Sequence, residues 1–140
     1  MNETNWGDGP TGIVAADLDG DGKTDLAVAN YYASTISILR GNGDGTFAAQ
    51  VTYATGSNPR ALAVGDLNGD GKMDLVASGD PGGNNVTVRL NSGTGTFPAA
   101  VGYASGGSGL YQTLVTDLDG DGKADVVTAD YGSSQISVFY

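Results

Sequence analysis

Apolar residues along this chain come in short runs, each ended by a polar break rich in glycine and aspartate. One set of runs lies just before a recurring acidic break, at residues 12–16, 61–65 and 113–116. A second set lies just after it, at residues 26–29, 75–78 and 126–129. These runs are small and β-branched, too short for helices and bounded by turn residues, so they predict strands covered on both faces. A third set alternates with a period of two, through Ile36 and Ile38, Val86 and Val88, and Ile136 and Val138. That alternation predicts a strand with one buried side, nearer the edge of a sheet. A fourth stretch, residues 46–53 and again 96–103, occurs twice.

The runs repeat as a block. Asp17, Asp66 and Asp117 occupy equivalent places, 49 and 51 residues apart, and Gly45-Thr46-Phe47 returns as Gly95-Thr96-Phe97. Val51-Thr52-Tyr53 likewise returns as Val101-Gly102-Tyr103, so the register does not depend on the acidic segments alone. Four antiparallel strands in about 50 residues describe a β-propeller blade. The predicted fold is therefore all-β: about three four-stranded antiparallel blades, the last incomplete, at about 12–54, 61–104 and 112–140 of a single domain spanning 1–140. Propellers close with roughly four to eight blades, and an unclosed array exposes strand edges. Completion by homo-oligomerisation is expected, with a two-fold dimer giving six blades and residues 1–6 as the outer strand of a partner's third blade. The competing expectation is a piece of a longer propeller.

Composition removes several functions. The chain has 140 residues with no cysteine and no histidine, which excludes disulfides, thiolate metal sites and the usual general base. Net charge is −10, with only six scattered Lys and Arg, so nucleic acid is not an expected partner. No segment is continuously apolar for the length a membrane span needs, so no membrane insertion is expected, and residues 1–4 do not open a signal peptide. Of the 16 acidic residues, 11 fall inside the three recurring segments. The negative charge thus has a local purpose.

The first of those segments reads Asp17-Leu18-Asp19-Gly20-Asp21-Gly22-Lys23-Thr24-Asp25-Leu26, with Gly43-Asp44-Gly45-Thr46-Phe47 behind it. It resembles the FG-GAP/VCBS repeat, the blade of integrin α-chain propellers and of many bacterial surface proteins. The resemblance covers nearly the whole chain and implies calcium at the turn between the first two strands of each blade. The residues suit that ion, because Ca²⁺ takes six to eight hard oxygens and alternate positions of one tight turn can supply them. The expected ligands are the carboxylates of Asp17, Asp19, Asp21 and Asp25 with the Lys23 carbonyl. In the second copy they are Asp66, Asn68, Asp70 and Asp74 with the Lys72 carbonyl. The third copy has Asp117, Asp119, Asp121 and Asp125 with the Lys123 carbonyl. An EF-hand would need glutamate at its twelfth position, where Val28, Ala77 and Thr128 stand. The loop instead closes on its ninth residue, as the resemblance implies. A hairpin turn needs one aspartate, whereas four in nine residues repel strongly unless a cation is present.

The expected function is a calcium-binding β-propeller module, with about three Ca²⁺ serving structure, acting as an extracellular or cell-surface scaffold for adhesion to a glycan or protein. The alternative is a self-assembling structural unit whose main partner is itself. Catalysis is not expected, because only Glu3, Asp8, Asp44, Asp80 and Asp130 lie outside the loops and they make no evident acid/base pair. Tyr31, Tyr32 and Tyr131 follow the second strands and either cap the packing between blades or meet a sugar ring. Trp6 reads as an interface residue. Asn2-Glu3-Thr4 and Asn85-Val86-Thr87 match the glycosylation pattern.

Overall fold

Each predicted run of branched and small apolar residues forms a strand, and among the described residues the glycine-rich breaks form turns and bends. The computed structural model describes residues 9–55, 58–80 and 85–140, the side chains of Asp80 and Asn85 excepted. The proposed strand exchange by residues 1–6, Trp6, Glu3, Asp8 and the sequon at Asn2 lie outside the described residues. The first sheet holds β1 (Pro10–Ala16), β2 (Asp25–Asn30), β3 (Thr35–Leu39) and β4 (Val51–Ala54). The second holds β5 (Asn58–Gly65), β6 (Asp74–Asp80), β7 (Asn85–Arg89) and β8 (Val101–Ala104). The third holds β9 (Leu110–Thr116), β10 (Asp125–Asp130) and β11 (Gln135–Phe139). All three are antiparallel meanders in chain order, and the described residues contain no helix.

The first strands of successive sheets lie side by side. A side chain at Gly12 in β1 would meet the Arg60 carbonyl oxygen of β5 at 2.8 Å, and one at Gly65 in β5 would meet Val115 of β9 at 2.4 Å. Glycine at these places lets backbones approach more closely than any other residue would. Leu18, Ile36, Ile38, Leu62, Leu75 and Phe97 form the core between the first and second sheets. Ala63, Val76, Val86, Leu110 and Val126 form the core between the second and third.

Burial corrects two expectations. The second strands are covered as predicted, but β1 is largely exposed, as are Ile13 (63%) and, in β9, Leu114 (56%). A first strand is covered on both faces only where sheets pack on either side of it. The alternating third strand does not lie near the edge in the two four-stranded sheets: β3 is inside, with β4 beyond it, and four of its five residues are buried. Of the three third strands, β11 alone lies at the edge of its sheet. The alternation in β3 separates Ile36 and Ile38, in the core against the second sheet, from Ser37, which is buried and accepts from the Asn30 side chain. The fourth strand is also shorter than its sequence run, beginning at Val51 or Val101, because the preceding segment folds back in a bend closed by the Gly41↔Phe47 bridge.

Phe97 enters the first inter-sheet core and is fully buried, with its ring edge-on to Tyr53 at 5.7 Å. Arg89 seals the same boundary. It donates to the carbonyls of Phe97 and Ala54 and lies over the Tyr53 ring at 5.4 Å. Burial pushes its guanidinium down, while Tyr53 opposes that shift. Between the second and third sheets an apolar groove of about 450 Å³ is lined by Val86, Val88, Tyr103, Val126 and Phe139. Phe47, the counterpart of Phe97 in the first sheet, is only half-buried. Phe97→Ala is therefore expected to lower stability by about 3–5 kcal/mol, and Phe47→Ala by less than about half as much, as read from urea unfolding. Equal losses would place the two rings in equivalent surroundings and contradict this packing.

Candidate metal centres

Each acidic segment joins the first strand of a sheet to the second and turns on paired glycines. Gly20 and Gly22 have φ of 79° and 81°, Gly69 and Gly71 of 77° and 80°, and Gly120 and Gly122 of 81° and 86°. In that left-handed region any side chain is strained, so both glycines of each Gly-Asp-Gly segment are required.

The backbone N–H groups of the loop point inward and each first aspartate gathers them. Asp17 accepts from Gly20 and Gly22 at 2.8 and 2.9 Å. Asp66 accepts from Gly69 and Gly71 at 2.8 and 2.7 Å, and Asp117 from Gly120 and Gly122 at 2.7 and 2.9 Å. The Gly71 bond is the chief reason that the Asp66 carboxyl is held below its ordinary range. The next two ligand positions brace the turn two residues ahead: Asp19, Asn68 and Asp119 accept from the N–H of Asp21, Asp70 and Asp121. Those in turn accept from the N–H of Lys23, Lys72 and Lys123.

The lysine side chains fold back onto the loop. Their ammonium groups pair with Asp21, Asp70 and Asp121 at 2.7, 3.2 and 2.8 Å. The pairing lowers the Asp21 and Asp121 carboxyls and raises the Lys23 and Lys123 ammonium groups. At Asp70, burial pushes upward, but the hydrogen bonds from Lys72 outweigh it and the carboxyl is lowered.

One oxygen from each of Asp17, Asp19 and Asp21 lies within 4.8 Å of the others, and the same holds for Asp117, Asp119 and Asp125. Among the described residues, the carboxylates of the second loop make no such group, since Asn68 takes the middle place. The surroundings differ too. Arg40 reaches across to the first loop, 3.5 Å from Asp19, while donating to the Thr94 carbonyl of the neighbouring sheet. The donor set in the first and third loops suits a hard, oxygen-seeking divalent ion.

The ninth residue has a role that spacing did not reveal. Asp25 and Asp74 are buried, at 1% and 0% exposure, and Asp125 at 4%. Asp25 accepts from Leu18 N–H at 3.0 Å and from Gly41 N–H at 2.8 Å. Asp74 repeats this with Leu67 and Asn91, and Asp125 with Leu118. One carboxylate thus ties the start of the loop to the segment leaving the third strand. The only signal in the sequence was that this aspartate directly precedes an apolar run. Asn91 adds a tie between sheets, donating to the Leu18 carbonyl at 2.7 Å.

Comparison with family models gives two matches to the FG-GAP-like repeat, at residues 17–77 and 66–128. The chain belongs to the FG-GAP-like repeat family. No curated protein matches it. Each FG-GAP-like match opens on the first aspartate of one loop and closes in the second strand of the following sheet, so the matched unit spans the boundary between two sheets as well as the loop.

Asp74→Ala is expected to cost about 3 kcal/mol, because two N–H groups lose their acceptor in a buried place, and the cost should be the same with calcium or with chelator in the buffer. The aspartates with shifted carboxyls are all pushed down, so the unfolded chain binds protons more readily. In chelator, the melting temperature should hold above the ordinary aspartate pKa of about 3.9 and fall as pH drops through and below it. With no histidine in the chain, it should stay flat between about pH 5 and 8.

Proposed function

We propose that this FG-GAP-like chain is a calcium-binding β-propeller module in which the ions serve structure, and that it works outside the cell as an adhesion scaffold for a glycan or protein. The observation that carries the reading is the convergence of carboxylate oxygens within 4.8 Å in the first and third loops. Such a group repels itself unless a cation is present, and the lysine ammonium at one edge offsets a single charge. A divalent ion would be held by Asp17, Asp19 and Asp21 in the first loop and by Asp117, Asp119 and Asp125 in the third, with Asp66, Asn68 and Asp70 as the weaker set.

Three ions would take the formal charge from −10 to −4. Affinities in the range of extracellular modules, about 10⁻⁴–10⁻³ M, would fill the sites outside cells and leave them empty in resting cytosol. The loops rank by local charge: the third has a full set of aspartates, the first shares Asp19 with Arg40, and the second carries Asn68. Among the described residues, the carboxylates elsewhere are already engaged. Asp44 is occupied by the N–H and hydroxyl of Thr46, and Asp130 is buried against Thr128 and Ser137.

Self-assembly is the second reading, favoured by apolar side chains on the two outer sheets: Ile13 on β1, and Leu114 and Ile136 in the third sheet. Joining those sheets across a two-fold axis would give six blades. Calorimetric titration should find three calcium ions per chain, and Asp119→Ala should remove the tightest of them, lowering thermal stability in calcium but not in chelator. Light scattering in millimolar calcium should give twice the mass of one chain. No heat of calcium binding would end the metal reading, and a monomer in calcium would end the dimer.

A further inference from the structure

The end of the molecule opposite the acidic loops carries a row of aromatic rings with one guanidinium in its middle, and the backbone puts it there. In every sheet the pairing between first and second strands slips by one residue at the same place. Pro10 and Gly12 are paired but the residue between is not, and the same is true of Pro59 and Ala61 and of Leu110 and Gln112. The residues left out are Thr11, Arg60 and Tyr111. A bulge of this kind turns its side chain away from the ladder, and it recurs at sheet edges beside functional sites. The turns that follow the second strands, residues 31–34 and 131–134, bring tyrosines alongside.

Arg60 lies 4.9 Å from the Tyr31 ring centre and 4.5 Å from that of Tyr111. Tyr31 meets Tyr32 edge-on at 5.2 Å, and Tyr111 meets Tyr131 at 5.3 Å. One row therefore crosses all three sheets. Packing between sheets accounts for Tyr31 and Arg60. It does not account for Tyr32 and Tyr131, which are 76% and 78% exposed, nor for Tyr111 at 49%. These rings are also held in place. A Cβ at Gly9 would be 2.4 Å from the Tyr32 ring, so that ring rests on backbone. Tyr31 and Tyr131 donate their N–H to Gly9 and Gly109, and both turns close through a serine at positive φ, Ser34 at 54° and Ser134 at 56°. A non-glycine residue in that conformation persists only where its surroundings impose it.

Charge narrows the ligand. Every exposed carboxylate among the described residues lies at the loop end, and Asp130, at this end, is 1% exposed and engaged by two hydroxyls. Arg60 already fills the place that a cationic ligand would take over the rings. What remains is three exposed tyrosine rings, Tyr32 at one end of the row and Tyr111 with Tyr131, 5.3 Å apart, at the other, with Ser108 and Ser133 beside the latter pair. We propose that this row binds a neutral glycan chain, its pyranose faces stacked on Tyr32, Tyr111 and Tyr131. Rigid tyrosines lose little freedom on binding and offer both a flat apolar face and a hydroxyl, and an extended chain can reach rings at both ends of the row. The assignment rests on the scaffold reading above and gives it a surface.

The test is retention of the full chain, in millimolar calcium, on immobilised gluco-, manno-, galacto- and N-acetylglucosamine oligosaccharides. At least one should be retained, and Tyr32→Ala with Tyr131→Ala should weaken it by about tenfold or more. Tyr32→Phe with Tyr131→Phe, which keeps the rings, should recover most of the loss, and all forms should melt within a few degrees of one another. A glycan held equally well by the double alanine variant would overturn this surface while leaving the scaffold reading intact. No retention of any of these sugars would overturn the proposal and the glycan half of that reading together, with the calcium titration unaffected.

Discussion

The loops and the sheets are joined at one carboxylate per repeat. Asp25, Asp74 and Asp125 each sit where the acidic loop enters its second strand, buried and accepting N–H groups that the strand ladder leaves unpaired. In the first two repeats the same group reaches the segment leaving the third strand, through Gly41 or Asn91. A buried anion held by N–H dipoles is stable only while all its partners stay in place. The bend after the third strand, the entry of Phe97 into the core and the closure of the loop are therefore parts of one arrangement. Gly41 shows how tight it is, since a side chain there would come within 2.1 Å of the Thr24 carbonyl oxygen.

Much of this could be read from the sequence because it depends on local order. Alternation and glycine spacing located the strands, and the Asp-Gly-Asp-Gly-Lys segments located the loops. What could not be read depends on neighbours across sheets. Nothing local distinguishes Phe47 from Phe97, yet one is half-exposed and the other fully buried, because only the second has a sheet to enter. The same reason misplaced β3, whose Ile36 and Ile38 pack into the core shared with the second sheet. The ninth aspartate was legible as a possible ligand and illegible as a brace, since its partners Gly41 and Asn91 lie 16 and 17 residues away. The row of bulged residues was beyond reach as well. A register slip leaves no mark on hydrophobic pattern, and Arg60 looks in sequence like any isolated surface arginine.

Repetition here is approximate, and the departures matter. Arg89 and Phe139 stand at equivalent places, one sealing a boundary by donating to two carbonyls, the other by packing edge-on against Tyr103 at 6.4 Å. Arg40 touches the first loop, while its counterpart Leu90 is exposed and apolar. A repeat protein is stabilised by each unit together with its interfaces to neighbours, so such exchanges alter one boundary without disturbing the rest.

The separation of charge from aromatic surface has a consequence for how the molecule meets its surroundings. Among the described residues the exposed carboxylates lie at the loop end, so exposed negative charge is concentrated there. Beside a negatively charged surface, the acidic end is repelled and the tyrosine end turns inward, over a reach of about 8 Å at physiological ionic strength. Orientation would precede contact, and salt would weaken it. Neutralising the loops would shrink that asymmetry, so the ionic content of the medium would tune the angle of approach as well as the rigidity of the scaffold.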